Sequence, residues 1–319
     1  MLLASERGVA EVLASRDGVS VVTTAIEADR LRDEELPTGL EVVLFDWARP
    51  DQRERLVNDA VGDAPVASDL PVGGEVDLPD ELVAEKRRLR PAEMARYREL
   101  GTAAAEALTE TLAQADPDKS ELDVAGIGAR ALLERGIEPA LILVAGSRRL
   151  DLYRHPRPTA ERIGDRVSVI FCGRRHGLYA NLTRFAYFRA PTAAERSAAQ
   201  VVALVEAAAW SASTPGATLG QVYSEITDAY ARLGHPGAEG GHHQGGITGY
   251  LSREVLAMPS IAVEIRPPVA LAWNPSLPGT KIEDTVLCTD AGIEVLTVDP
   301  SWPTVEVEGR ARPDLRIIS

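Results

Sequence analysis

Apolar and polar positions alternate or recur along this chain in blocks that predict its elements. VSVVTTA (19–25) and LEVVLFDW (40–47) are β-branched, apolar runs and predict strands. PVGGEVDLPDE (71–81), rich in Pro, Gly and acid, predicts a linker. RPAEMARYRELGTAAAEALTETLAQA (90–115) then carries apolar residues at helical spacing and predicts a long amphipathic helix. From residue 90 onward one order is written twice. Helices over 91–115 and 120–135 precede strands at 139–145, 166–173 and 178–188. Helices over 192–212 and 218–233 precede strands near 247–251, 260–266, 269–273, 284–289 and 293–297. Ser120 with Asp123, Thr192 with Glu195, and Thr218 with Gln221 are helix-opening pairs, in which hydroxyl and acid or amide satisfy each other's backbone N–H. Two helices followed by strands, repeated, predict an α+β domain of two similar halves over 86–319. Its helices cover one face of a curved antiparallel sheet and leave the other free for a site. Residues 1–85 form a separate, smaller α/β domain in this reading.

Composition narrows the function classes. Hydrophobic residues make up 45% and charged residues 26% of the 319, enough for a sizeable core. A formal net charge of −14 repels phosphate backbones and argues against a nucleic-acid partner. Two cysteines, Cys172 and Cys288, are too few for a disulfide framework and fit a reducing cytoplasm. No apolar run approaches the length of a membrane span, and the opening MLLASERGVAEVLAS lacks the pattern of a signal peptide. Abundant Ala, Arg and Gly hint at a bacterial, GC-rich gene.

The chemistry concentrates in GGHHQGGITGYLSRE (240–254). His242 and His243 could bind a metal, move a proton, or cap their loop. Adjacent strand residues point opposite ways, so both reach one site only if this Gly-rich loop kinks. Cys172 lies in an apolar run, VIFCG, which raises a thiol's pKa and marks it as core. RRHG (174–177) predicts a hairpin turn, with His176 and His235 as turn residues.

The order of elements, together with HPRPTAERIGDRVSVIFCG, GLYANLTRF, GGHHQGG and AWNPSLPGTKIEDTVLCTDAGIEVLT, resembles the pita-bread family over residues 90–298. That family includes methionine aminopeptidase, prolidase, aminopeptidase P and creatinase. The resemblance implies the α+β pita-bread fold, a short creatinase-like N-terminal domain whose opening segment is missing, and a homodimer. Its metallopeptidase members hold two divalent ions with two Asp, one His and two Glu. Residue by residue, the first Asp falls near Ile170 or Phe171 and the second on Asn181. The His falls on His242 or His243, the first Glu on Asn274, and the last Glu on Glu283. Only one of four carboxylates is retained, which leaves most of the charge of two divalent ions unbalanced. Creatinase, which uses no metal, is the relevant relative. Its acid/base histidine corresponds to His155 in YRHPRPT, and its cation-binding Glu to Glu254 in YLSRE.

The resulting expectation is a metal-independent hydrolase acting on a C–N bond of a small charged amide or guanidine. His155, His242, His243 and Glu283 are the candidate catalytic residues. Asn181, Tyr250, Glu254 and Asn274 are the candidate substrate-binding residues, and Arg184 is a structural ion-pair partner. No cofactor is expected. Two alternatives stand beside this reading. One is an Xaa-Pro dipeptidase or aminopeptidase with one divalent ion on His242, His243 and Glu283. The other is an inactive paralogue that binds a peptide or protein.

Overall fold

A computed structural model describes residues 8–16, 18–62 and 64–318. The start of the segment weighed above as a signal peptide, residues 1–7, lies outside them. The chain divides into two compact units, Met1–Ala84 and Glu85–Ser319.

In the first unit, Ala10–Ser15 pairs antiparallel with Gly18–Thr24, which pairs parallel with Glu41–Phe45. Val21 and Val22 are buried with Ala28 of the helix Ala25–Arg30. The helix Pro50–Val61 starts with proline at its first turn, where a missing N–H costs nothing. The strand Ala10–Ser15 was not anticipated. The expected linker holds the short strand Val76–Asp77, paired with Ala67–Ser68, and the helix Asp80–Arg87 begins at its end.

The second unit has two halves. The helices Pro91–Ala113 and Glu121–Leu133 cover a sheet of Glu138–Gly146, Arg166–Arg175 and Leu178–Tyr187, with Arg316–Ile317 at its edge. The helices Ala193–Ala212 and Leu219–Arg232 cover a sheet of Val255–Leu256, Gly245–Thr248, Val269–Trp273, Asp284–Thr289 and Gly292–Val295. The three predicted capping pairs all form, and each hydroxyl accepts an N–H three residues on.

Alternation along the strands separates a core face from a site face. Val167, Val169, Phe171, Ala180 and Leu182 lie in one apolar cluster with Tyr97, Leu108, Leu112 and Leu132 of the first helix pair. Val269, Leu271, Trp273, Val286 and Cys288 do the same with Val205, Trp210, Val222 and Ile226 of the second. The intervening residues Ile170, Cys172, Asn181 and Thr183 belong to the opposite face. The sheets meet where Thr183 bridges Glu283.

Arg184 occupies a core-side position, and its guanidinium pairs with Asp284 at 2.8 Å, as a structural role requires. Asp284 also pairs with Arg312, which holds Glu206 and stacks 4.2 Å from the Trp210 ring. This buried network ties the strand Arg310–Pro313 to the second half.

One sequence reading needs correction here, and two strands went unread. Residues 260–266 are not a strand. They form an extended arm whose carbonyls at Ile261, Val263 and Ile265 accept N–H groups from the start of the helix Leu219–Arg232 and the loop before it. Pro259, Pro267 and Pro268 bound the arm and cannot donate to a ladder. The strands Thr304–Val307 and Arg310–Pro313 also went unread, because their short, charged sequences carry little apolar alternation.

Candidate active site

His155, His242 and His243 converge on the site face. His155 is solvent-exposed, between Arg154 and buried Pro156, in the loop before Arg166–Arg175. The His pair follows a single 3₁₀ turn, Ala238–Gly241. Two features kink that loop. Gln244, fully buried, donates its amide to the carbonyls of Glu239 and His242 at 3.1 and 2.5 Å. Gly245, at φ +111°, passes so close to the neighbouring strand that a Cβ would lie 2.1 Å from the Ala272 carbonyl oxygen. No other residue fits there without moving the backbone. With the chain so constrained, both rings turn the same way. They stack with centroids 4.3 Å apart, and His242 Nε2 lies 2.7 Å from His155 Nε2. The three imidazoles offer nitrogens that all lie within 4.8 Å of one another.

Glu283 stands at the seam of the two sheets, 2% exposed. Its Oε2 accepts the Thr183 hydroxyl at 3.0 Å and pairs with Lys281 Nζ at 2.8 Å. Its Oε1 pairs with Arg253 at 2.7 Å. Burial would raise its pKa, but Lys281 and Arg253 outweigh that and hold it well below the usual carboxylate range. Glu283 is therefore a fixed anion clasped by two fixed cations. Those charges reach the imidazoles. Burial, with Lys281 next, pushes His242 down to about 3. Burial and Arg253 push His243 down to about 4, and burial and Lys281 lower His155. His242 and His243 are therefore neutral near pH 7, and the same influences favour the neutral form of His155. The local fixed charge is two positives against one negative.

The other expected residues divide. Asn181 and Asn274 are buried, at 0% and 1% exposure, and each has an Oδ1 with no protein donor among the described residues. Asn181 faces the site beside its cross-strand partner Cys172. Cys172 feels the charges of Glu283, Arg253 and Lys281, and burial pushes its thiol up to about 12, so it is inert. Tyr250 and Glu254 make structural contacts of their own. The Tyr250 hydroxyl donates to Glu93, and its ring packs on the first half's core. Glu254 Oε1 accepts the N–H groups of Tyr250 and Leu251 at 2.9 and 3.2 Å, closing their turn. The first ligand position also resolves. Ile170 pairs with Thr183 and shares its site face, whereas Phe171 points at Gly128 of the covering helix.

Sequence reasoning missed Arg253 and Lys281. The available signal was Lys281 two residues before Glu283, which on an extended segment puts both on one face. A small cleft open to solvent lies beside Lys281, lined by Tyr153, Arg154, Ile170, Thr183 and Thr280.

Fold and site together define a two-half, helix-covered α+β hydrolase scaffold whose site lies where the halves meet. The model of metallopeptidase family M24 matches residues 95–290, and the chain belongs to that family, whose members hydrolyse peptide-type C–N bonds. No curated protein matches the chain in sequence. Among solved structures it is similar to the X-Pro aminopeptidase of Thermotoga maritima, at 16% identity over 97% of this chain and 90% of that one, with TM-score 0.76. It is similar to a dipeptidase of Mycobacterium ulcerans, at 20% identity over 97% and 86%, with TM-score 0.75. It is also similar to the prolidase of Pyrococcus furiosus, at 18% identity over 91% and 90%, with TM-score 0.76. These likenesses establish the pita-bread fold.

The family's divalent ion pair does not fit these residues. A pair of ions brings a charge of +4 and needs carboxylates. Here Ile170, Asn181 and Asn274 stand in their places, and the one remaining acid is already neutralised by Arg253 and Lys281.

Proposed function

We propose that the chain hydrolyses a C–N bond of a small, carboxylate-bearing amide or guanidine without the family's ion pair, using His155 as the proton-transfer group. The observation that carries this reading is the clasp of Glu283 between Arg253 and Lys281, beside neutral imidazoles. The excess positive charge favours an anionic group on the substrate. The names of the solved relatives, X-Pro aminopeptidase, dipeptidase and prolidase, point to small peptide-type substrates. In this scheme neutral His155 takes a proton from the attacking water and delivers it to the departing nitrogen. His242, within hydrogen-bond reach of it, orients the ring. The bond broken is C–N, the bond formed is C–O, and water supplies both proton and oxygen. The resemblance to creatinase-like enzymes further suggests a homodimer, for which light scattering at micromolar concentration should give twice the chain mass.

A second reading rests on a specific observation, the three imidazoles with converging nitrogens. Such a trio suits one zinc-type ion, which when bound would supply Lewis acidity. His155, His242 and His243 would hold it, and Glu283 would not, being taken by its cations. Turnover of an amide and guanidine panel, before and after chelation, separates the two. Under the first reading chelation leaves the rate unchanged, and His155→Ala lowers it by about 10²–10⁴-fold. Loss on chelation with recovery on added zinc selects the second. A chain inert across the panel contradicts both and favours a binding role.

A further inference from the structure

The neutral amides that stand in the lost acids' places carry more information than their lack of charge. Asn181 is wholly buried. Its backbone is fixed by Thr285, whose hydroxyl accepts its N–H at 2.7 Å and donates to its carbonyl at 3.0 Å. The orientation of its side chain is fixed by Thr248. That hydroxyl gives its single proton to the Leu251 carbonyl at 3.1 Å, so toward Asn181 it can only accept. Asn181 Nδ2 donates to it at 3.2 Å. The free atom is therefore Oδ1, an acceptor buried without a donor from any described residue. Asn274, at the other replaced position, likewise keeps a buried Oδ1 without a donor. Buried acceptors are rarely left so, because each then forfeits its hydration without return. On the same site, Arg253 has a buried Nε–H with no acceptor. The unmet demand is for N–H donors at the asparagines and for an anion or carbonyl at the arginine. A divalent ion would meet the first only against two fixed cations. A neutral N–H-bearing group meets it without that repulsion.

We infer that Asn181, with Asn274, is a specificity-determining residue whose Oδ1 accepts an N–H from the substrate's amide-type nitrogen, so that the site selects amides over esters of equal charge and shape. This rests on the reading of the pocket as the site of C–N hydrolysis. The test is binding of a matched pair of probes, succinamate and monomethyl succinate, by calorimetry or ligand-detected NMR. Both carry one carboxylate, and only the amide carries N–H donors. Succinamate is expected to bind about tenfold or more tightly than the ester, the worth of one buried hydrogen bond. Asn181→Leu should erase that preference, and Asn181→Asp, which keeps an acceptor in the same shape, should retain it. If the leucine variant does not fold, the probe pair on the native chain with the aspartate variant still decides. Equal affinity for the two probes overturns the inference, as do saturable binding of neither and a preference that survives in the leucine variant. Ammonia release from succinamate is followed in the same samples. No release with the preference intact strikes the proposed reaction and leaves the inference standing.

Discussion

Glu283, Arg253 and Lys281 act as one unit, and removing the anion alone leaves two uncompensated cations. Glu283→Gln strips the anion from two cations whose side chains are 13% and 9% exposed. It should destabilise the fold by about 3–5 kcal/mol in denaturant titrations. Combining Glu283→Gln with Lys281→Met should recover part of that loss, because the residual charge is halved. An additive double variant would mean that the clasp is not energetically coupled. The histidines and the loss of acids were legible in the sequence, since residue type alone reveals them. The pairing of Glu283 with Arg253 and Lys281 was not. Arg253 sits beside Glu254 in sequence, yet the turn closed by Glu254 Oε1 sends the guanidinium to Glu283, 30 residues away. Pairing across a sheet seam depends on register, which no local pattern encodes.

At the scale of elements, the helix Ala193–Ala212 has its start written in the sequence and also carries a pH signature. Thr192 caps it, and Glu195 returns the bond to the Thr192 N–H at 2.7 Å. Thr192→Ala should cost about 0.5–2 kcal/mol. Glu195 also accepts two bonds from Arg189, at 2.6 and 2.8 Å, and these hold its pKa down to about 2 from an ordinary 4.5. A depressed carboxylate contributes its full stability above the unfolded value and loses it as pH falls through the folded one. The difference in stability between the native chain and Glu195→Gln should therefore be constant above about pH 5 and shrink between 4.5 and 2. A difference that stays flat across that window would remove Glu195 from the pairing. Elements with a strong period or a cap were readable in this way. The arm at 260–266 was not, because its apolar residues alternate like a strand while its flanking prolines deny it a ladder. The kink that converges His242 and His243 was foreseen only as a condition. What meets it is Gln244 and the close approach at Gly245, both of them tertiary contacts.

At the scale of the whole molecule, the doubled order of helices and strands was enough to give the two-half architecture, and the family match and solved relatives agree with it. In the proposed account the scaffold is retained, and the positive charge at its centre comes from the chain's own Arg253 and Lys281 in place of an ion pair. That account makes a stoichiometric claim. Titrating the purified, metal-free chain with manganese and with zinc, by calorimetry with elemental analysis of the dialysed product, counts the ions bound per chain. The account expects no ion pair: no binding under the first reading, and a single ion lost in His242→Ala under the second. Two ions per chain, bound with the affinity of a built site and insensitive to Arg253 and Lys281, would contradict it.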